Sequence, residues 1–208
     1  ATCHQCEKLK QSKGIQITQG FIGGTAENYT TTLGREGSDY SAAILAFATN
    51  AKSVTIWKDV PGVLNADPKY FSETIKLNYI SFQDAIELAY FGASVIHPKT
   101  IKPLYNAGIP LYVRCFLDRE ARGTLIHDTD AVLAYPPILV LKTKQVLLQV
   151  STRDYSFMNE DHLSRVYQWF HECRLKINLM QHGAISFVAC VDSDPERLEA
   201  LLQKLEAD

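Results

Sequence analysis

No stretch of this sequence approaches the roughly 20 consecutive apolar residues that a membrane-spanning helix requires. Nor does the N-terminus carry the apolar core of a secretory leader, which makes the cytoplasm the expected location. Positive charge is not in surplus: 21 Lys and Arg stand against 23 Asp and Glu, for a net charge of −2 with histidine neutral. A chain so balanced has no electrostatic footprint for nucleic acid. Cysteine is sparse and odd in number. The five, Cys3, Cys6, Cys115, Cys173 and Cys190, are scattered and do not make a disulfide framework. Cys3-His4-Gln5-Cys6 has the spacing of a metal or redox site. No second such pair accompanies it, and reduced thiols on a terminal helix are the plainer reading.

What is present suits a globular α/β protein. The 208 residues, 46% hydrophobic and 21% charged, suffice for one large or two small domains. The most informative stretch is Thr30-Thr31-Thr32-Leu33-Gly34-Arg35-Glu36-Gly37-Ser38-Asp39-Tyr40-Ser41, a polar loop running into the apolar block Ala42–Ala48. Gly34 and Gly37 permit backbone angles and close approaches that other residues resist. Ser38 or Asp39 is suited to cap a helix start, whose free N–H groups and dipole favour an anion. Arg35 adds a forked donor that matches carboxylate or phosphate. The plain alternative is a capped helix with one surface Arg.

Along the chain, residues 2–13 suggest a short helix, and Ile15, Ile17, Phe21 and Ile22 a buried strand ending at Gly23-Gly24. A helix to about Asn50 and a strand over Lys52–Trp57, with Trp57 in the core, continue the βαβ rhythm of a parallel sheet. Asp59-Val60-Pro61-Gly62-Val63-Leu64 is a tight turn. Ser81 with Asp84 resembles a capping box, Gly92 a helix stop, and His97-Pro98 the start of a helix ending near Gly108. Strands follow over Pro110–Phe116 and Gly123–Ile126. Residues 128–137, with Tyr135-Pro136-Pro137, read as a linker between a domain over 1–127 and another over 138–208. The second reads as strands Ile138–Leu141 and Val146–Val150, helix Asp161–Arg174, strands Leu175–Met180 and Ala184–Val191 about Gly183, and a last helix after Pro195. From Val146 onward that is βαββα, a ferredoxin-like order lacking its final strand.

Five segments, in order, carry a family resemblance. Thr31–Ala43 is similar to the signature loop of the aspartate kinases, members of the amino-acid kinase superfamily. Ile17–Gly23, Ile56–Val63 with Ala66–Lys69, Glu87–Pro98 and Gly123–Ile126 resemble further motifs of that family's catalytic domain. The resemblance implies the C-terminal half of a three-layer α/β kinase domain followed by an ACT-type regulatory unit. It implies transfer of the ATP γ-phosphoryl group, with Mg²⁺, to the side-chain carboxylate of L-aspartate, giving 4-phospho-L-aspartate for lysine, threonine and methionine synthesis. It also implies a homo-oligomer assembled through ACT units.

Carried over by position, Arg35, Glu36, Gly37, Ser38 and Asp39 would hold aspartate. Lys58, Asp59, Leu64, Asn65, Ala66, Asp67, Pro68, Lys69 and Ser94 would line the nucleotide. Asn178, Gly183 and Ala184 would meet an amino-acid effector. Asp59 and Asp67 are also ordinary turn residues, and His97 before Pro98 reads as structural.

The departures matter. The family's Lys-Phe-Gly-Gly, with its phosphate-neutralising Lys, is not in this chain, which reads as a fragment unable to transfer phosphate alone. The family's Thr, Tyr, Arg and Lys of the nucleotide pocket are replaced by Lys58, Leu64, Lys69 and Ser94, and Glu36 stands where a Gly is usual. Nucleotide binding is therefore expected to be weak or altered, since a Lys point charge does not reproduce an Arg fork. Asn178 and Gly183-Ala184 replace acidic effector contacts, so weak or absent lysine inhibition is expected. The alternatives are a non-catalytic amino-acid-sensing or pseudokinase protein, a kinase fused to homoserine dehydrogenase, and, last, an amino-acid kinase of other specificity.

Overall fold

The computed structural model of the protein describes residues 6, 13–93, 95–128 and 134–207. The expected N-terminal helix, Cys3, Ser94 and part of the expected linker lie outside them. The chain divides into two compact units, Ala1–Leu141 and Lys142–Asp208, whereas the sequence placed a linker over 128–137. Among the described residues Cys6, Cys115, Cys173 and Cys190 are free thiols.

The first unit begins with a small antiparallel hairpin, β1 (Ile22–Gly24) against β2 (Thr30–Thr32), with Ile22 opposite Thr32. Two expectations are corrected here. Residues 15–20 form no strand, and Ile15 and Ile17 are 93% and 94% exposed. No described segment pairs with them, so their apolar pattern has no surface to bury against. The first three residues of the expected loop are strand β2, drawn into extended pairing by their β-branched side chains.

Helix α1 (Gly37–Thr49) leads to β3 (Val54–Lys58), β4 (Tyr79–Ile80), α2 (Phe82–Phe91), α3 (Pro98–Ala107), β5 (Leu111–Cys115) and β6 (Thr124–Ile126). The sheet runs β3-β5-β6-β4, with β3–β5 and β4–β6 parallel and β5–β6 antiparallel. It is mixed rather than all parallel, and β1 is not part of it. Alternation explains β3 and β5: Val54, Ile56, Leu111, Val113 and Cys115 point inward. The first four meet Ile80, Phe82, Ile101, Leu104 and Ile126 in one core, each fully buried aliphatic or aromatic side chain contributing about 1.5–3 kcal/mol before entropy. Trp57 is not in that core. It is 44% exposed, with the Arg114 guanidinium 4.9 Å from its ring centroid.

The helix ends follow their local signals. Ser81 Oγ accepts the Asp84 N–H at 3.0 Å and donates to Asp84 Oδ2 at 2.6 Å. The Ser81 N–H goes instead to the Tyr135 hydroxyl at 3.0 Å, and burial pushes that phenol above its usual range. His97 Nδ1 accepts the Lys99 N–H as the cap of α3, and Gly92 and Gly108 end α2 and α3 at φ of 121° and 61°. The turn after β3 is pinned by Thr124, whose hydroxyl accepts the Val63 N–H at 2.9 Å and donates to the Leu77 carbonyl. Gly62, at φ 141°, lies so close that a Cβ would strike Thr124 Oγ1.

The strand expected over Ile138–Leu141 is absent. Ile138 packs on the first unit's core, and only the Leu139 N–H, donated to the Asn65 carbonyl at 2.8 Å, bonds like a ladder rung.

The second unit is β7 (Gln145–Ser151), α4 (Glu160–Glu172), β8 (Ile177–His182), β9 (Ser186–Asp192) and α5 (Pro195–Ala207). Its antiparallel sheet is ordered β7-β9-β8, with a bulge between Ile177 and Leu179. This is the expected βαββα order. Both helices share a core with one sheet face, with Val166, Phe170 and Leu201 buried together with Phe187, Ala189 and Val191. The other face leaves Leu147 and Leu179 72% and 66% exposed, both level with Cys190. Asn159 and His162 form a reciprocal capping box at α4. Gly183 closes the β8–β9 hairpin by donating its N–H to the Ser186 carbonyl at 2.8 Å.

Candidate functional site

The signature loop is built by three close approaches. Gly37 is buried, and a Cβ there would meet the Phe21 ring at 2.9 Å and Leu33 Cβ at 3.0 Å. Gly20 lies against Ser38 in the same way, where an added Cβ would meet the Ser38 Cα at 3.1 Å. Ser41 Oγ accepts the Phe21 N–H and donates to the Gly37 carbonyl, both at 2.9 Å, tying the chain before β1 to the start of α1. The helix starts one residue before the expected caps. Glu36 is its N-cap, at φ 55° and with no side-chain cap bond, so Ser38 and Asp39 sit inside the first turn instead of capping it.

The chemistry of this helix start is mixed in sign. Arg35 and Ser38 are exposed. Asp39 is mostly buried, and Lys58 Nζ at the end of β3 lies 3.0 Å from Asp39 Oδ2, with side-chain exposures of 21% and 17%. That contact is an ion pair and not an aligned hydrogen bond. Asp39 Oδ2 and Glu36 Oε2 are buried oxygens that accept no aligned hydrogen bond from the described residues. Two buried carboxylate oxygens thus retain capacity for a donor.

Beyond Lys58, the turn forms one side of a cavity of about 250 Å³. Of the expected nucleotide residues, Leu64, Ala66, Asp67, Pro68 and Lys69 line it, together with Val60 and Gly62. The rest of the lining comes from Leu88 of α2, from Gly92, Ala93 and Val95 after it, and from Ile138 to Leu141. The last four residues were read as a strand; their apolar character was visible in sequence, but not what it faced. Asp67 Oδ1 accepts the Lys69 N–H at 2.9 Å and so holds this corner of the turn. The walls are apolar with one carboxylate and one ammonium among them, a composition that suits a flat heterocycle carrying an anionic group.

Among the described residues, three of the expected nucleotide contacts do not line the cavity. Asn65 is buried at 9% exposure, its side chain donating to the Pro137 carbonyl at 3.0 Å and accepting the Ile75 N–H at 2.7 Å. It is a structural clamp. Asp59 is exposed, and Lys58 is drawn to Asp39.

In the second unit Asn178 sits in a polar cluster. Its Nδ2 donates to Gln145 Oε1 at 2.6 Å and to Asp192 Oδ1 at 3.0 Å, and its Oδ1 accepts from Lys142 Nζ at 2.9 Å. Lys142 Nζ also pairs with Asp192 Oδ1 at 2.7 Å. The Gln145 amide, then Lys142, hold the Asp192 carboxyl down at about 2. Gly183 and Ala184 lie past the other end of β8, on the order of 15 Å away at strand rise. The unit therefore does not bring the three expected effector residues together.

Comparison with known proteins bears on the family and the fold. The sequence model of the Amino acid kinase family matches residues 3–115, more than half of the chain. The lysine-sensitive aspartokinase 3 of Escherichia coli (strain K12) is 35% identical over 206 residues, covering 94% of this chain and 45% of that one. The crystal structure of Escherichia coli aspartokinase III in complex with lysine and aspartate superposes with a TM-score of 0.74 at 36% identity, over 91% of this chain and 43% of that one. The same enzyme in complex with aspartate and ADP gives 0.73 at 35% identity, over 91% and 44%. The chain thus spans less than half the length of these relatives. Fold, loop and family match coincide over the first unit, and the chain belongs to the amino acid kinase family.

Proposed function

We propose that this chain is part of an aspartate kinase, which transfers the γ-phosphoryl group of ATP to the side-chain carboxylate of L-aspartate. The observation that carries the reading is the end of β3. Lys58 there touches Asp39 in the loop, and two residues later Val60 already lines the cavity. One strand end therefore serves an anion-favouring helix start and a nucleotide-sized cleft, the place where α/β sheets bind ligands. The relative crystallised with aspartate and with aspartate and ADP supports a protein that takes both.

In this reading Arg35 clamps a substrate carboxylate with its fork, assisted by the N–H groups of α1. Asp39 meets the substrate ammonium. The base packs against Leu64, Val95 and Ile138, and Lys69 answers phosphate charge. Mg²⁺ bound with the phosphates would supply further neutralisation of their charge. The second unit is an ACT-like module that binds an amino-acid effector and pairs with another copy through the Leu147–Leu179 face. Both polar ends of the Asn178 side chain are already engaged by Lys142, Gln145 and Asp192, which favours weak lysine inhibition. One observation favours the second reading, a non-catalytic amino-acid sensor: Asp39 is already paired by an internal ammonium.

Isothermal titration of L-aspartate into the wild-type chain and Arg35→Ala tests the loop. A loss of roughly 1.5–3 kcal/mol is expected, the scale of a charge-assisted hydrogen bond. Equal affinity in the two proteins would make the loop a helix start and nothing more.

A further inference from the structure

Part of the cavity beside the turn after β3 is walled by chain that belongs to no helix or strand. We infer that residues 137–141 form a strap over the heterocycle end of this cavity, and that Asn65 is the positioning residue that sets the strap, so that a nucleoside's affinity depends on Asn65 although Asn65 does not line the cavity. This rests on the reading of the cavity as a nucleotide site.

The hold on the strap is narrow. Ile138, Leu139, Val140 and Leu141 all line the cavity. Among the described residues, the hydrogen bonds of residues 137–141 both go to Asn65: its Nδ2 donates to the Pro137 carbonyl at 3.0 Å, and its carbonyl accepts the Leu139 N–H at 2.8 Å. Ile138 adds apolar packing on the core, while Leu139, Val140 and Leu141 stay 49%, 37% and 49% exposed. Upstream, the Tyr135 hydroxyl is anchored by the Ser81 N–H. A segment with so few buried contacts opens at low free energy. Asn65 is the rigid partner. It is buried, its N–H donates to the Ile75 carbonyl at 2.9 Å, and its Oδ1 accepts the Ile75 N–H at 2.7 Å.

The composition of the lining decides which end of a ligand the strap serves. Asp67 and Lys69, the charged members, lie on the turn, whereas the strap offers only aliphatic side chains. The strap therefore packs on the apolar part of a ligand and not on its anionic group. When the strap leaves, that part loses a wall, and apparent affinity falls with the fraction of chains whose strap is in place. An Asn65 that served stability alone would make a different prediction: its loss would lower the unfolding midpoint and leave the affinity of the folded chain unchanged.

The experiment is isothermal titration of adenosine and of ADP, with Mg²⁺ in the buffer, into the 208-residue chain as wild type, Asn65→Asp, Asn65→Ala and Ser81→Ala. The temperature is one at which circular dichroism shows each protein folded. Asn65→Asp keeps the acceptor for the Ile75 N–H and removes the donor to Pro137, so it releases the strap and spares the turn. Both Asn65 variants are expected to weaken adenosine and ADP by the same factor, at least about fivefold. Ser81→Ala, which loses a helix cap, is expected to change neither. Unchanged adenosine affinity in both Asn65 variants, or an equal loss in Ser81→Ala, overturns the inference and leaves the nucleotide reading standing. No binding of either ligand to the wild-type chain overturns the nucleotide reading and the inference together. A second measurement does not depend on the variants folding. In the wild-type chain, adenosine is expected to slow amide hydrogen exchange at Val140 and Leu141; adenosine that binds without slowing it overturns the inference.

Discussion

Asn65 donates its side-chain amide to the carbonyl of Pro137, 72 positions away in sequence, at 3.0 Å. The same side chain accepts the Ile75 N–H at 2.7 Å, and the Asn65 carbonyl accepts the Leu139 N–H at 2.8 Å. One buried residue therefore fixes the turn after β3 to the segment that closes the cavity. Asn65→Ala strands two backbone groups, and an expected loss of about 2–4 kcal/mol follows from the cost of unsatisfied buried polar atoms. Urea unfolding of the first unit measures it. Hydrogen exchange at Leu139 should accelerate in parallel; unchanged protection there would mean that the wall is held by apolar packing alone.

Thr124→Val keeps the shape of the side chain and removes its hydroxyl. The Val63 N–H and the Leu77 carbonyl then lose their partner inside the core. A loss of about 3 kcal/mol is expected, lowering the thermal midpoint by several degrees. A variant as stable as wild type would show that water reaches this turn.

The Asp192 carboxyl titrates at about 2 in the folded chain, against an ordinary 3.8. A group depressed on folding stabilises the native state above its unfolded pKa, and that contribution fades as pH falls through the folded value. The second unit should therefore lose stability between roughly pH 4 and pH 2. The side chain is 54% exposed, so solvent screening limits the effect to less than about 1 kcal/mol. Asp192→Asn should flatten that part of the pH profile; an identical slope in the variant would assign the acid sensitivity to other carboxylates.

Ser81→Ala removes the cap of α2, leaving the Asp84 N–H without its acceptor. The expected cost is about 1 kcal/mol. Thermal unfolding of Ser81→Ala beside Ser81→Thr checks it, since threonine retains a capping hydroxyl. Equal losses in both would point to packing around Tyr135 and not to the cap.

Much of this protein is written locally. Gly92 and Gly108 end their helices, Ser81 and His97 start theirs, and the alternation of Val54, Ile56, Leu111 and Val113 builds two central strands. Each depends on residues within about four positions, where capping bonds and side-chain periodicity act. The βαββα order of the second unit was readable for the same reason, as were the polar loop at Arg35–Asp39 and its family. Other features depend on which distant segments meet. Ile15 and Ile17 look like a buried strand yet are exposed, because burial requires a facing surface that local pattern does not specify. Ile138–Leu141 look the same and become a cavity wall, since the hydrophobic effect is non-directional and accepts any apolar neighbour. Trp57 lies against Arg114 rather than in the core, and Lys58 turns from the cavity to Asp39. The caps of α2 and α3 follow from sequence, though that of α1 does not; the partner of a charge or a ladder group follows from the tertiary fold, because only the folded chain brings Lys58 within 3.0 Å of Asp39.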